Sequence, residues 1–256
     1  MKKGTFTYFV YICLVLLLCT TDIYGQLDVQ QLTEQQGLGN NTVNTIHQDQ
    51  KGFLWIGTDI GLTRYGGNSF HTYNLSRPGG EPISISNIEE TEDRYLWLES
   101  ENGILSCFDK QQEKYLSIQW NDEIKQEEIQ KLYSTGNTLY GILTDGLYTL
   151  NIKSDGKMIQ LNKKTLLAHK RLNTTLTNQD QTLYLSDKDN KLIIYHTQSG
   201  KSEYVNCQEW NIRTEDIHNL YTYNGHLFAC GDFEGILCYN LKDKSIRTIR
   251  ILCNEN

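Results

Sequence analysis

Five acidic residues recur along the chain at intervals of 42 to 44 residues, each inside a short polar segment. They are Asp59, Glu101, Asp145, Asp189 and Asp232. Gathered on one surface, such carboxylates can accept hydrogen bonds from sugar hydroxyls, hold a cation or bind a basic loop of a partner. The alternative is structural, because Asp suits tight turns through hydrogen bonds to its own backbone. Both interpretations are open from the sequence.

Trp120 and Trp210 are the aromatic residues best suited to binding. Both lie outside the repeated apolar pattern, in predicted connections over 117–127 and 202–213; similar connections are predicted over 74–82 and 154–171. Sugars stack their C–H faces on such rings, so we expect these two side chains to contact a ligand. The alternative is that each ring folds onto the edge of a neighbouring sheet.

Motifs for enzyme or cofactor chemistry are missing. The stretch QDQKGFLWIGTDIGLTRYGG (Gln48–Gly67) lacks the Lys-Ser/Thr of a P-loop and the helix of a dinucleotide site. HQDQKGFLW has one residue too many for a sialidase-type turn, and no C-x-x-C pair indicates zinc. Glu89-Glu90 and Glu127-Glu128 are interpreted as solvated charges at strand edges rather than catalytic pairs. We predict no catalytic residue, metal or cofactor.

Charge and composition restrict the partners. The 256 residues carry a formal net charge of −7 and include no block of Lys or Arg. Nucleic acid is therefore not an expected partner, and an acidic protein gains nothing from an anionic membrane surface. The length suffices for one well-buried all-β domain.

The first 25 residues are predicted to be a signal peptide. Lys2 and Lys3 precede an apolar run from Tyr8 to Cys19, which is too short to span a bilayer comfortably. Gly25 offers a small residue for cleavage before Gln26. Lipidation at Cys19 is the weaker alternative, because bulky leucines precede it. We expect a periplasmic protein.

Five cysteines follow the signal peptide, namely Cys107, Cys207, Cys230, Cys238 and Cys253. Their number is odd, so at least one stays unpaired. Cys230 and Cys238 could be neighbours on adjacent strands. The simplest interpretation treats them as small buried apolar side chains.

An internal repeat organises the rest of the chain. Five segments share Leu followed by an aromatic residue, then a polar turn, then an alternating apolar stretch. The aromatic anchors are Trp55, Trp97, Tyr140, Tyr184 and Phe228, spaced by 42, 43, 44 and 44 residues. In a repeat architecture these are structural residues, and we expect Trp55 and Trp97 to pack between adjacent units.

Each unit is predicted to contain four short strands separated by turns rich in Gly and Asn. In the first unit the strands are TVNTIHQD, GFLWIGT, GLTRYGG and SFHTYNL. Four-stranded units of this length are typical of β-propeller blades. We place the propeller over 26–256 with blades near 37–74, 83–117, 127–153, 172–204 and 214–252.

Residues Gly37 to Tyr73 resemble the two-component regulator propeller repeat, approximately G-L-S-x-N-x-V-x-x-I-x-Q-D-x-x-G-F-L-W-I-G-T-x-x-G-L-x-R-Y-D-G. Gly39 replaces Ser and Gly66 replaces Asp, and the later units match only at their anchors. The resemblance extends over Leu27 to Cys253. It implies the periplasmic sensor region of hybrid two-component systems of gut Bacteroidetes, and recognition of an oligosaccharide.

Full-length members of that family continue into more blades, a β-sandwich, a membrane helix and a histidine kinase, none of which this sequence contains. We therefore expect a sensor propeller that depends on a downstream sensor or kinase polypeptide. A non-signalling scaffold and a propeller enzyme, such as a glycosidase or lyase, are the alternatives.

The propeller is expected to be incomplete, because the family has seven blades. LDVQQLT (Leu27–Thr33) resembles a strand that would complete the last blade, but SIRTIRIL (Ser245–Leu252) already fills that position. An open arc lacking about two blades would have exposed edges that favour self-association. A closed ring of five blades is the alternative.

Overall fold

Each Leu-aromatic segment forms the second strand of a four-stranded antiparallel sheet, which we call a blade. Because side chains alternate along a strand, Leu54 and Ile56 face one side of the first blade and Trp55 faces the other. The computed structural model describes residues 31–76, 80–92, 94–100, 103–120, 129–168, 171–179, 181–210 and 212–250. Within these ranges the chain forms twenty strands and three short 3-10 helices.

The strands follow one another within each blade in chain order. Blade 1 contains β1 (Val43–Gln48), β2 (Leu54–Thr58), β3 (Gly61–Tyr65) and β4 (Phe70–Asn74), and blade 2 contains β5 (Asn87–Thr91), β6 (Tyr95–Glu99), β7 (Leu105–Asp109) and β8 (Lys114–Trp120). Blade 3 contains β9 (Ile129–Thr135), β10 (Thr138–Leu143), β11 (Gly146–Ser154) and β12 (Met158–Ala168). Blade 4 contains β13 (Leu172–Gln179), β14 (Thr182–Asp187), β15 (Lys191–His196) and β16 (Lys201–Asn206), and blade 5 contains β17 (Ile217–Tyr223), β18 (His226–Gly231), β19 (Ile236–Asn240) and β20 (Ile246–Ile249).

Blades 2 and 3 share one continuous sheet of eight strands. Residues 158–161 of β12 pair in parallel with residues 117–120 of β8, so the outer strands of the two blades join. The predicted connection over 154–171 is therefore wrong for most of its length, since β12 occupies it. Blade 3 accordingly extends to Ala168, beyond residue 153, because its fourth strand gains hydrogen bonds on both edges.

Hairpin geometry requires glycine after two of the anchors. Gly61 and Gly235 adopt φ angles of 128° and 83° in the turns between the second and third strands. A Cβ atom would lie 2.8 Å from the carbonyl oxygen of Tyr73 at Gly61, and 2.5 Å from that of Ile249 at Gly235. No larger residue fits at these positions without moving the outermost strand.

The aromatic anchors pack in one direction along the chain. Trp55 of blade 1 lies in a buried cluster with Leu96, Leu98 and Phe108 of blade 2. The next three anchors follow the same rule: Trp97 packs with Leu132 and Leu139 of blade 3, Tyr140 with Leu183 and Leu185 of blade 4, and Tyr184 with Leu227 and Tyr239 of blade 5. We call the side of a blade that carries its anchor the anchor face, and the opposite side the receiving face.

The first strands of the five blades lie side by side in chain order around the centre, β1 beside β5, β5 beside β9, β9 beside β13 and β13 beside β17. Among the described residues, β17 and β1 make no comparable approach. The all-β fold of four-stranded blades predicted from the sequence is confirmed.

The chain before β1 covers part of the receiving face of blade 1. Thr33 caps a 3-10 helix over Glu34–Gln36, after which Leu38 is buried and Gly39 lies against Thr63 and Thr72. Of the leading strand predicted over 27–33, residues 27–30 lie outside the described residues. Residues 31–33 have no strand structure, because the capping helix begins immediately after them.

The four cysteines within the described residues are free thiols. Three of them, Cys107, Cys207 and Cys238, are buried, the first two within apolar clusters, and burial raises the pKa of Cys207 to about 12. Cys253 and the predicted signal peptide, residues 1–25, lie outside the described residues. In the part of the chain that is described, no helix has the length and apolar character needed to cross a membrane.

Replacing the anchor of blade 2 should destabilise the fold strongly. Trp97 is completely buried between blades 2 and 3, so Trp97→Ala removes its apolar contacts and leaves a cavity. We expect the free energy of unfolding to fall by about 3–5 kcal/mol in urea titrations. Tyr204→Ala is the control, because Tyr204 is 51% exposed on β16. Similar losses in both variants would contradict the packing described here.

Candidate functional site

The recurring acids occupy equivalent turns on one side of the molecule, which we call the turn face. Asp59, Asp145, Asp189 and Asp232 are exposed residues between the second and third strands of blades 1, 3, 4 and 5. Contacts with Ser84 and Arg171 show that the connections between blades reach the same side. Glu101 lies outside the described residues.

Three of these carboxylates have partners within the protein. Asp59 accepts hydrogen bonds from the Asn44 amide at 2.9 Å and the Ser84 hydroxyl at 3.1 Å, and its pKa is lowered chiefly by the Asn44 bond. Asp189 pairs with Arg171 at 2.9 Å, and Asp232 with His218 at 2.9 Å. These contacts fasten turns to interblade connections. A ligand-binding ring of acids stays a prediction.

The two candidate tryptophans are half-buried and far apart in the chain, Trp120 on blade 2 and Trp210 between blades 4 and 5. Trp120 ends β8 and packs against the apolar cluster between blades 2 and 3. Trp210 ends a 3-10 helix, with its ring centroid 5.5 Å from that of Tyr239. Trp120 is thus part of a strand rather than of the predicted connection, because β8 pairs with β12. A ligand role for either ring stays a prediction.

Three adjoining hollows open around the centre of the turn face, with volumes of about 200, 330 and 360 Å³. Gln130 and Lys131 of β9 each line two of them, and His218 of β17 lines the second and third. We call this region the central site. Its remaining polar lining includes Ser86, Asn87, Glu99, Ser100, Asn173, Lys188, Glu215 and Asn219.

Lys131 is neutralised inside the central site. Its ammonium group lies 3.1 Å from the Glu99 carboxylate. That carboxylate also accepts a hydrogen bond from the Asn87 amide at 2.8 Å and one from the backbone N–H of Leu132 at 2.6 Å. Four groups on three strands therefore hold one another in place, and the charges of Lys131 and Glu99 balance.

Glu89 also binds β9, at a position outside the lining of the hollows. Its carboxylate accepts hydrogen bonds from the backbone N–H of Ser134 at 2.8 Å and from the Ser134 hydroxyl at 2.7 Å. Burial raises the pKa of Glu89. The interpretation of Glu89-Glu90 as solvated charges is wrong: Glu89 is half-buried against blade 3, and Glu90, on the opposite side of β5, is buried against blade 1. Glu127-Glu128 lie outside the described residues.

Side chains accept hydrogen bonds from backbone N–H groups on the strand edges that face the centre. The amides of Leu132 and Ser134 in β9 donate to Glu99 and Glu89, and the Leu176 amide in β13 donates to the Tyr133 hydroxyl at 3.0 Å. Burial raises the pKa of Tyr133, so its hydroxyl stays protonated at neutral pH. Carboxylates and a phenol replace the neighbouring strand that these edges lack.

The rim beside His218 is fixed by a buried polar network. The Asn173 amide donates to the hydroxyl of Ser186 at 2.9 Å and to the carbonyl oxygens of Asp187 at 3.2 Å and Thr214 at 3.0 Å. The Thr214 hydroxyl also donates to the Asp187 carbonyl oxygen. Blade 4 is therefore rigidly joined to the segment that leads into β17.

A second polar cluster lies at the opposite ends of the strands, between blades 1 and 2. The buried ammonium group of Lys110 pairs with Glu90 and, at 3.3 Å, with Asp49. Glu90 also contacts His47 at 2.9 Å, and Asp49 accepts the indole N–H of Trp55 at 2.8 Å. This ionic cluster ties the first anchor to the next blade.

The central site is suited to a neutral ligand rich in hydroxyl groups. Amide, hydroxyl, imidazole and carboxylate groups line it together with the Lys188 ammonium group, and Lys131 and Glu215 are paired with Glu99 and Arg213. Within the described ranges no group of three or more His, Cys, Asp or Glu side chains could hold a metal ion.

Sequence reasoning missed the central site because its residues come from four blades. Asn87, Lys131, Asn173 and His218 stand about one repeat apart, and the alignment of anchors aligns none of them by residue type. The signal available was the first strand of each unit, whose axis-facing positions are unusually polar.

Five four-stranded blades, placed in chain order around a centre, define a β-propeller. Residues 37–59 match the family model described as "two component regulator propeller". The matched residues include the first anchor, Trp55. No curated protein matches the chain.

Solved structures with the same fold include two extracellular domains from B. thetaiotaomicron. One belongs to a protein described as a one component system, with a TM-score of 0.64, 16% identity and coverage of 87% of this chain and 33% of that one. The other belongs to a protein described as a hybrid two component system, with a TM-score of 0.60, 21% identity and coverage of 85% and 31%. The WD40 repeats of RRP9 match with a TM-score of 0.57, 9% identity and coverage of 81% and 63%. The chain spans about a third of the length of the two extracellular domains.

The raised pKa of Glu89 predicts a specific pH dependence. A carboxyl group whose pKa is raised by folding stabilises the fold below its unfolded pKa, and this contribution is lost as the pH rises through the folded value. We therefore expect wild-type stability to fall relative to Glu89→Gln between about pH 4 and pH 7 in urea titrations. Gln keeps an oxygen for Ser134 but cannot ionise.

The matched control is Glu81→Gln, because Glu81 is exposed. Its stability should run parallel to that of the wild type across the same pH range. A Glu89→Gln curve that also runs parallel would contradict a buried, ionising Glu89.

Proposed function

We propose that this chain is the ligand-sensing propeller of an extracytoplasmic two-component regulator. The observation that carries the proposal is the regulator-type repeat at residues 37–59, located in the first of five blades. The fold shared with extracellular domains of regulatory systems supports it. The rigid turn face, with hollows between blades rather than within one, suits a domain whose blade arrangement responds to a ligand.

The ligand we propose is an oligosaccharide bound at the central site. A sugar presents many hydroxyl groups and no net charge, which fits a lining rich in uncharged donors and acceptors in which Lys131 and Glu215 are paired. Volumes of about 330 and 360 Å³ for the two hollows that share His218 fall in the range of small-molecule sites. We propose that Asp59, Asp145, Asp189 and Asp232 of the turn face extend contacts with a longer saccharide, which would share the three of them that already have partners within the protein.

Signalling in this proposal needs a further polypeptide. Catalytic output would come from a kinase or regulator part, to which the propeller passes the binding signal. The site residues described above serve recognition, and we assign no catalytic role to any of them.

Oligosaccharide binding is tested by isothermal titration against a panel of neutral and acidic oligosaccharides. We expect His218→Ala and Gln130→Ala to weaken binding of the best ligand about threefold to tenfold each, because each removes a hydrogen-bonding group shared by two hollows. Asp243→Asn is the control, since Asp243 is exposed in the turn between β19 and β20 and lines none of these hollows.

The same titrations separate the central site from the tryptophans. Loss of binding in Trp120→Ala or Trp210→Ala, with His218→Ala unaffected, would place the ligand at those rings and contradict the central site. An absence of binding across the whole panel would contradict the proposed ligand class. Turnover of any saccharide would favour a propeller enzyme.

Export is proposed from the sequence of residues 1–25. Intact-mass measurement of protein from the periplasmic fraction should show a chain that begins at or near Gln26, because signal peptidase removes the apolar segment. A cytoplasmic protein that retains Met1 would contradict both export and the extracytoplasmic sensor.

A further inference from the structure

The anchor face of blade 5 differs from the other four anchor faces because no blade covers it within the described residues. Phe228, the fifth anchor, is only half-buried. Tyr221 pairs with Phe228 across the sheet, so both project from this face, and Tyr221 is 63% exposed. Tyr223 on the same face is 64% exposed. Blade 5 thus presents aromatic side chains where every other blade buries its anchor.

The receiving face of blade 1 is the counterpart at the other end. In blade 2 the residues that receive Trp55 are Ile88, Leu96 and Leu98. The strand register makes Ile46, Leu54 and Ile56 their equivalents, since Ile46 pairs with Ile56 as Ile88 pairs with Leu98. Ile88 is 5% exposed, whereas Ile46 is 60% exposed.

Within the described residues, the segment before β1 contacts the outer part of the receiving face and leaves Ile46 exposed. Gly37 lies against Phe70, and Gly39 against Thr63 and Thr72, which belong to the third and fourth strands. Val43 and Ile46 of β1 are both exposed large apolar residues. The uncovered part is the one that corresponds to Ile88 in blade 2.

The two end faces also lack the ionic cluster of the interface between blades 1 and 2. In that interface the charged positions are His47, Asp49, Glu90 and Lys110. Register places Tyr221 and Tyr223 of blade 5 at the positions of His47 and Asp49, and Gln48 and Gly67 of blade 1 at those of Glu90 and Lys110. A contact between the two end faces would therefore bury none of these charges without a partner.

We propose that two copies of this chain associate head to tail, with the anchor face of blade 5 of one copy docked on the receiving face of blade 1 of the other. The contact continues the interface that already joins blades 1 to 5, with Phe228 and Tyr221 meeting the exposed Ile46 and the half-buried Leu54. Two copies that dock at both ends close a pair, and copies that dock at one end extend a chain. Contact between two copies of blade 5 would instead set anchor against anchor.

Sedimentation velocity of the purified protein over a range of concentrations tests this arrangement. Tyr221→Glu and Ile46→Glu each place a charge in one half of the contact. Because both side chains are largely exposed, the folded monomer should tolerate the changes. We expect the wild type to associate as its concentration rises, and each variant to raise the dissociation constant about tenfold or more. Tyr204→Glu, an exposed aromatic residue on blade 4, is the control that leaves association unchanged.

An equimolar mixture of the two variants gives the decisive result. The Ile46→Glu copy keeps an intact blade 5 and the Tyr221→Glu copy an intact blade 1, so one wild-type contact can form. We expect the mixture to regain a species of two copies, and no larger one. Val43→Glu charges the same face should Ile46→Glu fail to fold.

Three results would overturn the proposal. A wild type that stays monomeric at every concentration means that the end faces do not bind each other between copies. Loss of association in Tyr221→Glu alone means that blade 5 binds blade 5. A mixture of the two variants that stays monomeric means that the two faces are not halves of one contact.

Discussion

Burial of one aromatic side chain beneath the next blade is the constraint on which this structure depends. A four-stranded blade has two apolar faces and cannot bury either alone, so its anchor gains stability only when another blade covers it. Trp55, Trp97, Tyr140 and Tyr184 meet this requirement in the same direction. This direction gives the molecule two different ends. At one end the receiving face of blade 1 is partly covered by the chain before β1, and at the other the anchor face of blade 5 exposes aromatic side chains.

At the centre of the molecule, the requirement is for hydrogen-bond acceptors rather than for burial of apolar side chains. The first strand of each blade has one edge without a neighbouring strand, and its amides need acceptors. Glu89, Glu99 and Tyr133 supply them from adjacent blades. Burying carboxylates for this purpose is unfavourable in isolation, and the Glu89 group shows it in its raised pKa. The same polar groups surround the hollows in which we propose that a saccharide binds, so recognition and edge protection share one set of residues.

Local patterns predicted most of the fold. Alternation around Trp55 placed all four strands of blade 1 within a residue or two, and the glycine turns followed from positive φ at positions such as Gly61. The parallel pairing of β8 with β12 could not be predicted, because it joins outer strands about 40 residues apart in the sequence and no local signal marks it. The Lys110 cluster and the central site could not be predicted for the same reason, since the residues of each come from more than one repeat.

Residue-resolved amide hydrogen exchange, at a concentration where the protein is monomeric, tests the directional packing most directly. The account predicts slow exchange at Leu132, Ser134 and Leu176, whose edge amides donate to side chains of adjacent blades. We predict fast exchange at Ile46 and Gln48 of β1, the register equivalents of Leu132 and Ser134, because no preceding blade among the described residues supplies acceptors to that edge. Equally slow exchange along β1 and β9 would show that blade 1 is covered within a single chain, and would contradict the directional packing.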